Sequence, residues 1–90
     1  MLTQAKQGIF ALHYDEDSDI ISIKFSETKG LLGRDIDSNA TIFFDEANNK
    51  LASIIILDFM EIISCEQERI AKYESITGLD FKRDILPQIQ

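Results

Sequence analysis

Apolar and polar positions alternate with a period of two along two stretches of the chain and then shift to a helical period. Phe10, Leu12 and Tyr14 alternate with Ile9, Ala11 and His13, and after a polar run Ile21, Ile23 and Phe25 alternate with Ile20, Ser22 and Lys24. Successive strand side chains point to opposite faces, so this pattern predicts two strands with one apolar face each, joined by the acidic run between them. A second pair follows. Ile42 and Phe44 lead into another polar run, and "LASIIILDF", Leu51 to Phe59, leads out of it with apolar residues on both faces. That pattern suits a central strand, or one whose second face meets a helix or another subunit.

The two polar runs repeat one pattern thirty residues apart. "YDEDSDIISI" and "FDEANNKLASI" both read aromatic, Asp, Glu, three small or polar residues and then a β-branched strand, with one extra residue in the second copy. Asp and Asn side chains bond nearby backbone N–H groups and tolerate the left-handed conformation, as expected at Asn48 and Asn49, so each run predicts a hairpin turn. Between the hairpins, "KGLLGRDIDSN" reads as a connection with a short strand near Leu31 to Ile36.

After Leu57 the period changes. Asp58 with Glu61, or Ser64 with Gln67, could each form a capping box, which predicts a helix starting in this neighbourhood and leaves its first residue open. Ile63, Ile70, Tyr73 and Thr77 fall on one helical side, with Glu68, Lys72 and Glu74 left to face water, and Gly78 is placed to end the helix in a left-handed cap. In the tail "LDFKRDILPQIQ" a further turn or short helix is expected before Pro87, with Phe81, Ile85 and Leu86 docking it on the domain.

These elements predict an α+β domain over residues 1–90. An antiparallel sheet of four to five strands, built from two β-hairpins over about 8–58, precedes a C-terminal helix over about 59–77 packed on one face, and a tail over 78–90. Ninety residues supply a single core, and one cysteine closes no intrachain disulfide, so the stability margin is expected to be small. Lone Cys65 predicts a reducing, cytoplasmic compartment. The start of the chain shows no signal-peptide core, and the longest apolar run, Ile54 to Leu57, is too short to cross a bilayer, so neither secretion nor membrane insertion is expected.

Charge narrows the partners. The net charge is −7, with ten acids against five bases through Asp58 and six against four afterwards. Phosphate binding needs a basic patch, so direct contact with nucleic acid is not expected, whereas a basic protein partner is compatible.

The acidic turn invites sharper chemistry, and its pattern argues against it. Asp15, Asp17 and Asp19 match the opening of a calcium loop, but Ile20 stands where that loop needs Gly and Ser26 where a bidentate Glu must close it. Clustered turn acids are usually solvated, so an acid–base pair is not expected there. His13 is the one histidine, and with no second His, no second Cys and no Ser elbow the sequence shows no partners for a metal site or a nucleophile–base pair. Cys65 sits beside Glu66, which opposes thiolate formation, and Gly30 with Gly33 match no phosphate-loop fingerprint. No catalytic, cofactor-binding or metal-binding residue and no cofactor is therefore expected.

Tyr14, Asp15, Asp19, Ile21 and Ile23, followed by "FDEANNKL" and "ASIIILDF", resemble the small bacterial proteins of Domain of Unknown Function 2283. The resemblance runs from Ile9 to Phe59. Asn49 stands where that family tends to have Gly, and Ile55 where an acidic residue is common, which makes this strand more apolar than the family pattern. The resemblance implies an antiparallel sheet, no established activity and no functional residues to carry over. It also suggests association with toxin-like neighbours. The expected function is a non-enzymatic protein-interaction domain that self-associates as a homodimer, because one helix covers only one face. The alternatives are an antitoxin-like acidic partner of a basic toxin-type protein, and a small ligand-binding domain or enzyme with its site at a dimer interface.

Overall fold

In the computed structural model, residues 10–26, 31–47 and 49–89 are described. The expectations for Ile9, Gly30 and Asn48 lie outside the described residues. Five strands form one antiparallel sheet: β1 (Ala11–Asp15), β2 (Ile20–Lys24), β3 (Leu32–Asp35), β4 (Ala40–Asp45) and β5 (Lys50–Leu57), in the order β1-β2-β5-β4-β3. The two hairpins stand side by side and share the β2–β5 ladder. This places β5 at the centre of the sheet. Helices α1 (Phe59–Cys65) and α2 (Gln67–Thr77), one π-helical turn (Phe81–Ile85) and the short α3 (Leu86–Ile89) complete the α+β fold.

The repeated turns are built alike. Asp15 pairs with Ile20 and Asp45 with Lys50, so both loops have the same length. In each, the leading Asp carboxylate accepts the N–H two residues on, Asp17 at 3.1 Å and Ala47 at 3.0 Å. The fifth residue of each is left-handed, Asp19 at φ 56° and Asn49 at φ 52°. The extra residue of the second copy lies in the strand instead: Phe43 pairs with Ser53 and Phe44 with Leu51, leaving Ala52 as a bulge. Its carbonyl accepts both Phe25 N–H at 2.7 Å and Ser26 N–H at 3.2 Å. Because one inserted residue turns the strand over, Leu51 and Ala52 are both buried, and Ile54 and Ile56 reach the core.

The core lies on one face. Ile21, Ile23, Ile42, Ile54 and Ile56 meet Phe59, Ile62, Ile70, Tyr73, Phe81 and Ile85, all of them buried. Phe59 bridges the layers, 6.3 Å from the Tyr14 ring on β1 and 5.9 Å from the Phe81 ring, contacts worth on the order of 1 kcal/mol each beyond their burial.

The single expected helix is two. Residue Glu66, at φ −125° and ψ 72°, separates them. At the break, the Ile63 carbonyl accepts the side-chain Nε2 of Gln67 at 2.9 Å, and the Ser64 hydroxyl donates back to the Met60 carbonyl at 2.8 Å, a contact that bends helices. Both Ser64 and Gln67 are thus spent on carbonyls, and Asp58 makes no side-chain cap, so neither expected capping box forms. Glu68 and Lys72 are exposed as expected, whereas Glu74, expected to face water, is half-buried against the tail. Ile63, Ile70, Tyr73 and Thr77 are buried, and Gly78 ends α2 at φ 77°.

The tail docks on the same face through Leu79, Phe81 and Ile85. Asp80 caps its turn by accepting Lys82 N–H at 3.1 Å and Arg83 N–H at 3.2 Å, and Glu74 accepts Phe81 N–H at 2.8 Å. The helical path continues past Pro87 rather than stopping before it. Pro87 is the second residue of α3, where a missing N–H costs nothing, and the wide turn ahead of it closes from Leu86 N–H onto the Phe81 carbonyl.

Candidate functional site

Two acidic residues of the first turn, Asp15 and Asp19, serve the backbone. Asp19 accepts the Tyr14 hydroxyl at 2.6 Å and the Met60 N–H at 3.0 Å, while its own carbonyl accepts Phe59 N–H at 3.0 Å. The hairpin turn thereby satisfies the first two N–H groups of α1, which is why that helix needs no cap from Asp58. The bond donated to Asp19, with burial and the neighbouring charges adding to it, pushes the Tyr14 hydroxyl up to about 12. Among the described residues no three His, Cys, Asp or Glu side chains converge to hold a metal ion.

A second polar cluster was not legible as such in the sequence. Asp37 accepts Asn39 N–H at 2.9 Å, Ala40 N–H at 3.0 Å and the Tyr73 hydroxyl at 2.8 Å, and pairs with Lys72 at 2.8 Å. Burial works against its charged form. The bonds from Lys72, Asn39 and Tyr73 outweigh that and hold the carboxyl at about 2. Burial first, then the bond to Asp37, raises the Tyr73 hydroxyl well above its ordinary range. Asn39 adds the clasp on β5, donating to the Leu57 carbonyl at 3.3 Å and to Asp58 at 3.2 Å while accepting from Arg69 at 2.6 Å. The turn-forming "DIDSN" was visible in the sequence; its meeting with Arg69, Lys72 and Tyr73 was not. The cluster ties the β3–β4 turn to α2, and each of its polar groups is already occupied in doing so.

The remaining sequence candidates scatter. Cys65 is exposed at the end of α1, His13 is exposed on β1, and Gly33 lies on β3 under the Phe43 ring, which a Cβ there would approach to 3.1 Å. The two acidic turns lie at opposite ends of the sheet, because β2 and β5 are antiparallel and each turn precedes one of them. Glu16 and Asp17 therefore do not form one patch with Glu46.

What the geometry does assemble is a surface. All helices pack on the face of Ile21 and Ile54, so among the described residues no element covers the other face. Ile20, Phe43, Ile55 and Leu57 lie on it, the first three half-buried and Leu57 41% exposed. Around them the strand register sets a polar frame. One row crosses all five strands as His13, Ser22, Ile55, Thr41 and Asp35. The Asp35 carboxylate is held in place at its end by the Thr41 hydroxyl, 2.7 Å away. Such a surface, flat, apolar in the middle and polar at the rim, can bind a complementary surface and lacks the enclosure that a small-molecule site needs. Among the described residues no helix is long and apolar enough to cross a membrane. In comparisons with known proteins, no family model matches the chain and no curated protein or solved structure matches it significantly.

Proposed function

We propose that this chain is a non-enzymatic protein-interaction domain that pairs with a second copy of itself through the open face of its sheet. One observation carries the reading: the central strand presents Ile55 and Leu57 on a face that no described element covers. An antiparallel sheet facing water on one side normally alternates apolar-in with polar-out, and here the outward set is apolar at its centre. The sites that could have argued for catalysis are engaged elsewhere, Asp19 in capping α1 and Asp37 in holding α2. The single exposed Cys65 supports a reducing, cytoplasmic setting. The likeness to Domain of Unknown Function 2283 is part of the same proposal, and the Tyr14–Asp19 bond supplies a physical role for the residues it rests on.

Sedimentation across a hundredfold concentration range tests the reading. A monomer–dimer equilibrium is expected, with Leu57→Glu shifting it to monomer while leaving the circular dichroism spectrum unchanged. A monomer at every concentration would overturn it.

A further inference from the structure

Charge placement on the open face selects one way for two copies to meet. The row through Ile55 ends in His13 on the β1 edge and Asp35 on the β3 edge, so this row carries a base at one end and an acid at the other, with Asp15 beside His13 on the same edge. Two identical sheets packing face to face with aligned strands can be related by a two-fold axis running along β5 or across the strands. An axis across the strands at Ile55 sets His13 opposite His13 and Asp35 opposite Asp35. An axis along β5 exchanges the edges: β1 of one copy lies over β3 of the other, and β2 over β4. His13 then meets Asp35 of the second copy twice, Ile55 and Leu57 stack on their own symmetry mates, and Lys24 comes over the face of Phe43, whose partner across the central strand is the same Ser53 that pairs with Lys24.

Resting on the interaction reading above, we propose that the occupant of the open face is a second copy of this chain, related by a two-fold axis along β5 and registered by two His13–Asp35 contacts. The carboxylate of Asp35 is preset for this by the bond from Thr41, which engages its Oδ1. Four strand spacings of about 4.8 Å by five residues of about 3.3 Å make a flat patch on the order of 300 Å² per copy, small against the usual 800 Å² per partner. The pair is accordingly a weak one, and the edge contacts decide its geometry.

The test is a mixing experiment with His13→Glu and Asp35→Lys, both at exposed positions, followed by sedimentation at matched concentration. Each variant alone places like charges at both contacts, or a lysine beside a histidine, and the dissociation constant of each is expected to rise by about tenfold. Mixed in equal amounts, they form a heterodimer in which the introduced glutamate of one copy meets the introduced lysine of the other, while the second contact keeps the original His13 and Asp35. Association is then expected to return to within about threefold of the unmodified protein. Recovery on mixing also shows that both variants are folded. If Leu57→Glu abolishes the dimer but mixing restores nothing, the face is the interface and the axis along β5 is wrong. A protein that is monomeric without any substitution removes both the axis and the interaction reading.

Discussion

The carboxylate of Asp19, in the first hairpin turn, accepts the backbone N–H of Met60, forty-one positions later, at 3.0 Å. One of the three turn acids that match the opening of a calcium loop is thus the N-terminal cap of a helix far along the chain. Tyr14 donates to the same carboxylate at 2.6 Å and holds it toward α1.

The Asp19 variants should therefore separate two roles. Asp19→Ala loses the cap and puts an alanine at φ 56°, and its urea midpoint should fall by an amount corresponding to about 2–3 kcal/mol. Asp19→Asn keeps a side-chain acceptor and tolerates the left-handed backbone, so about 1 kcal/mol is expected. Equal losses for the two would mean that the charge, not the cap, is what matters.

Calcium should leave the melting temperature unchanged at millimolar concentration. Asp15 is turned to its own loop N–H and Asp19 toward Met60, so the carboxylates do not converge as a hard cation requires. Isothermal titration showing micromolar affinity that Asp17→Ala abolishes would contradict this.

Asp37 predicts a pH dependence whose sign follows from its lowered pKa. The folded value of about 2 lies below the ordinary 3.8, so the stabilisation is fully present above about pH 4 and disappears as the pH falls through 2. Its size is on the order of 1–2 kcal/mol, allowing for partial solvent access. Urea midpoints of the unmodified protein and Asp37→Asn, measured from pH 5 to pH 2, should differ most at the upper end and converge at the lower.

Asn49→Gly should be neutral or stabilising by a few tenths of a kcal/mol, because glycine adopts φ 52° without steric cost, whereas Asn49→Val should lose at least about 1 kcal/mol. Thermal melts of the two variants report this directly. A stable valine variant would mean that the second turn adopts another backbone.

The hairpins were legible because their determinants are local. Each strand alternates over a few adjacent residues, and an Asp two residues before the N–H it binds and an Asn or Asp at the left-handed position are contained in the six residues of each turn, where they behave as their types predict. The repeated pattern even signalled an extra residue. Its location at Ala52, in the strand and not the turn, was decided by which faces Leu51 and Ile54 must bury, a property of the whole sheet.

The helical part was less legible for the same reason turned around. Its buried stripe was readable from spacing, but a capping box is only one way to satisfy a first-turn N–H, and the sequence near Asp58 could not show that Asp19 already stands at that position. The break at Glu66 likewise depends on Gln67 reaching back to the Ile63 carbonyl. The Asp37 cluster joins residues thirty-six apart through one hydroxyl. By itself the sequence determined the period, and hence the type, of each main element and the chemistry of its turns, since these act over a few bonds. Only the tertiary structure decided which carboxylates serve as caps, where the extra residue goes and that the outer face of β5 is left uncovered, because each depends on groups that share no local pattern and meet only when the layers pack.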